Sequence, residues 1–351
     1  MSGTPRLRGR LLTALAAVAT LGASGLPAGC SSSDGDDGRA APPTSTVAAF
    51  DPAGSPSTTT PTTAAPPSAR PTTTPTATTD PSPAAAPVTA AALAAELTEV
   101  ERLLRDPDLD VRADAELLAA LGRRQQLVYR QLARHDELDA EVLALVPDDV
   151  AGAVAFNIAA RQAVTNHAAG RPPTEPPATL PAWTIRAPAP IDELLAAYTE
   201  AEGITGVPWE YLAAINFVET RMGRIVGESS AGAIGPMQFL PETWAACCEG
   251  DPNDPHDAIV GAAVYLGANG APGDMAAALY AYNPNEGYVG QVTAYAANLT
   301  ADPAAYRGYH GWEVLVGTSA GTVRLPTGFS AEVPIDAAAY VAANPEDLLA
   351  S

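Results

Sequence analysis

The chain has 351 residues and a net charge of −21 at pH 7, and all 19 of its basic residues are arginine. This acidic balance argues against a nucleic-acid partner, which would favour a basic face, and against electrostatic docking on an anionic membrane surface. Because alanine and proline are abundant and aromatic residues make up only 6% of the chain, we expect a small and mainly helical globular part.

Residues 1–29 have the pattern of a signal peptide and are excluded from the fold. Three arginines precede an apolar run over residues 11–21, which is too short for a permanent membrane span. The sequence Leu-Pro-Ala-Gly-Cys at 26–30 resembles a bacterial lipobox, whose cysteine carries the lipid. We therefore expect an extracytoplasmic protein anchored to the cell membrane through a lipid on Cys30, with plain secretion as the alternative.

Residues 30–88 are rich in threonine, proline, alanine and serine and contain almost no large apolar side chain. A segment of this composition cannot bury enough surface to fold, so we expect a disordered tether. About 58 residues of this kind reach between about 40 Å as a coil and about 180 Å as extended polyproline. A tether fixed at the membrane would carry the folded part of the chain into the cell-wall layer.

Residues 89–172 predict a separate helical bundle. Leucine and valine recur at helical spacing in four segments, which include Leu93, Leu117, Leu138 and Val150. No constellation of catalytic side chains accompanies them, so we expect a structural unit or one that binds another wall protein. The proline-rich stretch 173–189 is expected to be a linker.

Residues 190–351 carry further helix signals and then a hairpin signal. The two segments 312–316 and 322–325 flank a Ser-Ala-Gly turn and predict a β-hairpin. Asp257 is expected to cap one of the helices. The fold class is therefore mainly α, with a small C-terminal β-hairpin. We expect the helices at 191–201, 208–223, 241–248, 258–266, 275–282 and 288–299.

Glu219 lies on the apolar stripe of the helix expected at 208–223. It follows Leu212, Ile215 and Asn216 at positions i, i+3, i+4 and i+7, so the four side chains share one face. Burial disfavours the charged form of a carboxyl and raises its pKa, which prepares a general acid for work near neutral pH. The alternative is a structural carboxylate at the edge of the stripe, capped by Arg221 or Arg224.

Two later segments offer groups that could contact a ligand. Residues 229–238 contain small side chains and glycines, which let the backbone approach a ligand closely, and end on Gln238, which can both donate and accept hydrogen bonds. The helix expected to end at Tyr282 is followed by Asn283. A tyrosine hydroxyl and an asparagine amide at a helix end can hydrogen-bond a carboxylic acid or sugar hydroxyls.

The chain has three cysteines, Cys30, Cys247 and Cys248. With a lipid on Cys30, the adjacent pair would remain in an oxidising compartment. A bond between neighbours is possible but strained, because trans Cα atoms lie about 3.8 Å apart while disulfides prefer about 4.4–6.8 Å. Two buried thiols are the alternative. The acidic stretch 249–254 lacks the ligand spacing of a calcium loop, so no metal site is expected.

The order and spacing of three segments resemble the lytic transglycosylases of the lysozyme-like superfamily. The segments are Glu219-Thr220, the Ser-x-x-Gly-Ala-x-Gly-x-Met-Gln run at 229–238, and Ala-Tyr-Asn at 281–283. The Tyr-Val-x-x-Val run at 288–292 is similar to that of exported enzymes of high-GC Gram-positive, actinobacterial type. The resemblance covers about residues 190–300 and implies a lysozyme-like catalytic domain that needs no cofactor. Pro-Asn at 284–285 departs from the Ala-Gly of many members.

The resemblance also implies a reaction and a set of residue roles. The reaction is cleavage of the β-1,4 bond between N-acetylmuramic acid and N-acetylglucosamine in peptidoglycan, with 1,6-anhydro ends. Glu219 would be the catalytic residue, first as acid and then as base. Ser229 would contact the acetamido group or steady the intermediate, Gln238 would bind glycan, and Tyr282 would position the acid. Gly232 and Asn283 complete the expected substrate contacts.

Two other functions fit the same residues. A hydrolytic muramidase would use water in place of the sugar hydroxyl, and its products would carry reducing ends. A non-catalytic wall-binding lipoprotein would bind glycan and release no fragments.

Overall fold

The computed structural model describes residues 88–172 and 174–349. The signal peptide, the lipid site Cys30 and the tether as far as residue 87 lie outside the described residues, and those expectations stay predictions. The described residues belong to one compact unit, Thr44–Ser351, and are mainly helical, as predicted. No helix in this described part is both long and apolar enough to cross a membrane.

The first part of the described chain forms four helices, as the spacing of leucine and valine predicted. The Thr89 hydroxyl caps the first of them by accepting the N–H of Ala92 at 3.2 Å. A short 3-10 turn, Asp136–Leu138, leads into the third. The helices are α1 (Ala90–Leu104), α2 (Ala115–Ala133), α3 (Asp139–Leu145) and α4 (Asp148–Ala168).

A second group of helices follows, and one of its predicted caps is wrong. The Asp254 carboxylate, rather than Asp257, caps the helix that begins at Pro255, because it accepts the N–H groups of His256 at 2.9 Å and Asp257 at 3.1 Å. The helices are α5 (Ile191–Thr205), α6 (Trp209–Thr220), α7 (Pro241–Cys247), α8 (Pro255–Ala268), α9 (Met275–Tyr282), α10 (Glu286–Ala301) and α11 (Ala305–His310).

The stretch predicted as a linker contains two short strands, β1 (Thr179–Leu180) and β2 (Thr184–Ile185). Strand β2 pairs antiparallel with β3 (Ile225–Val226), which follows the end of α6. Leu180 and Trp183 are buried in this stretch. It therefore packs as part of a second, smaller apolar cluster.

The C-terminal hairpin is present where the sequence predicted it. Strands β4 (Val314–Thr318) and β5 (Gly321–Leu325) pair antiparallel, in the register that sets Val316 opposite Val323. The chain then returns through β6 (Ile335–Asp336), which pairs with β1, and through α12 (Ala337–Ala343). Strand β7 (Leu348–Leu349) adds to the free edge of β5.

Helices α1–α4 share one continuous apolar core with α5–α11. A buried polar network joins the two groups of helices. Glu101 on α1 is fully buried, pairs with Arg105, and accepts hydrogen bonds from Tyr129 at 2.5 Å and Gln125 at 3.0 Å. Gln125 in turn accepts the indole N–H of Trp312, which follows α11, at 2.8 Å. The expectation that residues 89–172 form a separate unit stays a prediction.

Candidate active site

The predicted stripe of α6 is buried, and Glu219 is part of it. Leu212, Ile215, Asn216 and Glu219 are each no more than 1% exposed. Pro208 supplies the fixed backbone angle at which the helix begins, one residue before Trp209. Glu219 therefore lies in the last turn of a helix that is buried along this face, at the point where the chain leaves the helix.

The chain leaves α6 through three successive residues of positive φ. Their φ angles are 55° at Arg221, 61° at Met222 and 76° at Gly223. Only glycine adopts this conformation without cost, and for other residues it costs about 1–2 kcal/mol each. The turn is closed by the N–H of Met222, which donates to the Asn216 carbonyl at 3.2 Å.

The two arginines that follow Glu219 are engaged with other groups. Arg221 donates to the Phe217 carbonyl at 2.6 Å, and its guanidinium lies 4.7 Å from the centre of the Phe217 ring. Arg224 donates to the carbonyl of His310 at 3.0 Å. These contacts do not favour the structural alternative in which an arginine holds Glu219.

Two buried tyrosines lie beside the Glu219 carboxyl. The rings of Tyr282 and Tyr288 are parallel, with centroids 6.5 Å apart. Burial raises the pKa of both hydroxyls well above the usual range, and the charge of Glu219 raises it further. The Tyr288 hydroxyl lies within the range at which hydrogen bonding to the Glu219 carboxylate also raises its pKa. Glu219 therefore belongs to a desolvated group in which its charge affects both phenols.

The serine-glycine loop that follows β3 is organised by Ser229. The Ser229 hydroxyl oxygen accepts the N–H groups of Ala231 at 3.2 Å and Ala233 at 3.0 Å. Gly232 lies between them with a φ of 80°, a conformation that favours glycine. The loop closes through paired backbone hydrogen bonds between Ile234 and Phe239, at 2.8 and 2.9 Å.

Two successive carbonyls attach this loop to the helices on either side. The Pro236 carbonyl accepts hydrogen bonds from the Thr220 hydroxyl at 2.6 Å and the Asn216 amide at 2.8 Å. The Met237 carbonyl accepts the Tyr282 hydroxyl at 2.6 Å. The loop is thereby fixed to α6, next to Glu219, and to the end of α9.

The structure gives the expected substrate-contacting residues specific partners within the protein. The Gln238 side chain is fully buried and donates to the Gly235 carbonyl at 3.0 Å. Asn283 is 4% exposed and ends α9. The Tyr282 hydroxyl is bonded to the loop, although the resemblance implied that it positions the acid. Contacts of these residues with substrate stay predictions.

Tyr288 is the site residue to which sequence reasoning assigned no role. Its place in the Tyr-Val-x-x-Val run was visible, and it lies three residues after Asn285, whose side chain caps α10 by accepting the Tyr288 N–H at 3.1 Å. The sequence did not reveal that Tyr288 would join Tyr282 beside the acid, because that depends on how α9 and α10 cross. The signal was an aromatic residue with a polar end on the buried face of a helix.

Two further groups lie near α7 and α8. Cys247 and Cys248 form a disulfide, which is the strained alternative of the two weighed from the sequence. Asp254, His256 and Asp257 place ligand atoms within 4.8 Å of one another on the surface. The carboxylates of this cluster already accept backbone N–H groups, as Asp257 does from Asp251 at 2.9 Å, so the cluster provides no evidence of a metal site.

The fold and the site together define a lysozyme-like helical domain with a buried carboxyl at a helix end and a serine-glycine loop packed against it. Residues 197–304 match the family model described as the Transglycosylase SLT domain, so this part of the chain is an SLT domain of the lysozyme-like superfamily. No curated protein and no solved structure matches the chain. Within the matched range, Glu219 is the one buried carboxylate.

Proposed function

We propose that this protein is a peptidoglycan lytic transglycosylase. It cleaves the β-1,4 bond between N-acetylmuramic acid and N-acetylglucosamine and leaves 1,6-anhydromuramoyl ends, in remodelling of the cell wall. The observation that carries the proposal is the position of Glu219, the one buried carboxylate of the matched domain, beside two buried tyrosines and the serine-glycine loop.

In the proposed reaction Glu219 acts twice. As a carboxylic acid it gives its proton to the glycosidic oxygen while the bond from the muramoyl C1 to that oxygen breaks. As a carboxylate it then takes the proton of the C6 hydroxyl, whose oxygen bonds to C1. The proton count is balanced at the end of the cycle and no water is consumed. A buried carboxyl suits the first step, because desolvation favours its neutral form.

A glycosidase that retains or inverts with water needs a second carboxylate close to the first. The other acids near the site are exposed: Glu228 and Glu242 both point to solvent, and so does Asp251. Capture by the substrate's own hydroxyl removes the need for a second carboxylate. This supports the intramolecular reaction over hydrolysis.

Digestion of purified peptidoglycan, with mass spectrometry of the soluble fragments, tests the reaction. We expect fragments with 1,6-anhydro ends, which are one water lighter than the hydrolysis products. Reducing ends would instead identify a hydrolytic muramidase. Binding of glycan without release of fragments would identify a non-catalytic wall-binding protein.

The role of Glu219 is tested by the Glu219→Gln variant, which keeps the shape of the side chain and removes its acid. General acid-base catalysis contributes about 10²–10⁴-fold, so we expect the rate of fragment release to fall at least 100-fold. Glu228→Gln is the matched control, because it changes the charge by the same amount in the exposed part of the neighbouring loop. Retained activity in Glu219→Gln would show that another group is the acid.

A further inference from the structure

A cavity of about 350 Å³ lies where α2 and α4 meet α10 and the end of α6. Arg130 of α2 and Arg161 of α4 line it, and both lie outside the range matched by the family model. Arg221, which leaves α6 two residues after Glu219, lines it from the other side. The cavity therefore combines the N-terminal helices with the region of the candidate active site, and its volume is in the range of small-ligand sites.

Positive charge is concentrated in this cavity, although the chain as a whole carries −21. Three arginines line it, and none of the residues that line it is acidic. Asp139 and, at 3.8 Å, Asp136 pair with Arg161, but neither aspartate lines the cavity. Burial lowers the pKa of Arg221, and burial together with the charge of Arg134 lowers the pKa of Arg130. An anion bound here would be stabilised by both groups.

The remaining walls suit an organic acid rather than a bare inorganic ion. Tyr295 and Trp312 supply aromatic surface, and Gln291 supplies an amide. Arginine guanidinium groups bind carboxylates through two parallel hydrogen bonds, while aromatic walls cover the apolar body of a ligand.

Helix α10 contributes to both the Glu219 group and the cavity, because Tyr288 lies beside Glu219 while Gln291 and Tyr295 line the cavity. Tyr288, Gln291 and Tyr295 follow one another at i, i+3 and i+7, so they lie on one side of the helix. Seven residues of helix rise about 10 Å. A substrate whose reacting bond lies at Glu219 would need a side branch of about that length to reach the arginines.

We infer that the Arg130–Arg161–Arg221 cavity binds a carboxylate of the peptide stem that muramoyl residues of peptidoglycan carry. The inference rests on the proposed function, since it takes the substrate of the Glu219 site to be the same molecule. It assigns a preference for peptide-bearing over naked glycan strands, and it gives the N-terminal helices a direct part in substrate recognition.

Calorimetric binding to the full chain tests this without turnover, in the Glu219→Gln background. The probes are a disaccharide peptide with free carboxylates, the same molecule with its carboxylates amidated, the peptide-free disaccharide, and the peptide alone. We expect the free-carboxylate probe to bind at least tenfold more tightly than each of the other three. Equal binding of the amidated probe would overturn the assignment, and so would equal binding of the peptide alone.

The matched variants are Arg130→Gln, which removes a lining guanidinium, and Arg134→Gln, which removes the same charge at the exposed residue that follows the end of α2. We expect the advantage of the free-carboxylate probe to fall about tenfold or more in Arg130→Gln and to persist in Arg134→Gln. Equal losses in the two variants would show a general charge effect and overturn the site. Because binding is measured without cleavage, these results stay separate from a failure of Glu219 as the acid.

Discussion

Tyr288, in the first turn of α10, brings its hydroxyl near the Glu219 carboxylate, and we expect it to donate a hydrogen bond to the ionised acid during the reaction. A hydrogen bond to a charged group is worth about 1.5–3 kcal/mol, so we expect Tyr288→Phe to lower kcat/KM about 10- to 100-fold. A hydroxyl that donates to the charged form of the acid favours that form and lowers the pKa of the acid. Its loss should therefore move the alkaline limb of the pH profile of kcat/KM to higher pH.

Tyr282→Phe is the control for this prediction, because the ring next to Tyr288 is equally buried but its hydroxyl donates to the Met237 carbonyl. We expect Tyr282→Phe to lower the melting temperature, since a buried carbonyl loses its partner, and to leave the alkaline limb in place. If the two variants shifted the limb equally, the tyrosine that positions the acid could not be assigned to α10.

At the scale of elements, helix positions followed from the sequence more closely than their contacts did. The run that predicted 275–282 became α9 with the same bounds, because apolar spacing and the Asp274 cap act locally. The strands at 179–180 and 184–185 were assigned to a linker, since two-residue strands have no periodicity of their own. They exist because they pair with β6 and β3, which are distant in sequence.

Helix α2 approaches α11 so closely that only glycine fits at the contact. A Cβ on Gly122 would lie 2.6 Å from the Gly308 carbonyl oxygen and 2.6 Å from the Gly311 Cα, both backbone atoms. Forcing a methyl group into a packed interface costs about 1–3 kcal/mol, which exceeds the helix-propensity gain of about 1 kcal/mol. We therefore expect Gly122→Ala to lower the free energy of unfolding by up to about 2 kcal/mol in urea denaturation.

Gly152→Ala on α4 is the matched substitution, because no atom beyond the neighbouring backbone of its own helix lies within 4 Å of the added methyl group. It should leave stability unchanged or raise it by up to about 1 kcal/mol. A Gly122→Ala protein as stable as Gly152→Ala would mean that the two groups of helices are not held at this close distance.

For the molecule as a whole, the family and the buried acid could be predicted because they depend on short motifs and on one helix face. The shared core of α1–α4 with α5–α11 could not, since it depends on partners such as Glu101, Gln125 and Trp312 that are far apart in sequence. The amphipathic pattern of α1–α4 shows that each helix has a buried face. It does not show whether that face is covered by its own bundle or by a second group of helices.

His310 makes the stability of the folded protein depend on pH. Burial lowers its pKa to about 4, the charge of Arg224 acts in the same direction, and the ring N–H donates to the Ala189 carbonyl at 2.9 Å. In the unfolded chain an ordinary histidine titrates near 6.5, so between about pH 6.5 and 4 the unfolded state binds more protons. This contribution to stability is complete above pH 6.5 and is lost as the pH falls.

We expect the free energy of unfolding to drop by about 2 kcal/mol from this group alone between pH 7.5 and pH 5. His310→Gln keeps an N–H donor for Ala189 but does not titrate. In urea denaturation, its free energy of unfolding should therefore differ between the two pH values by about 2 kcal/mol less than that of the unmodified protein. His256→Gln is the control, because its exposed ring pairs with Glu200, which raises its pKa and gives the opposite sign. An unchanged difference in His310→Gln would mean that other groups govern the acid sensitivity.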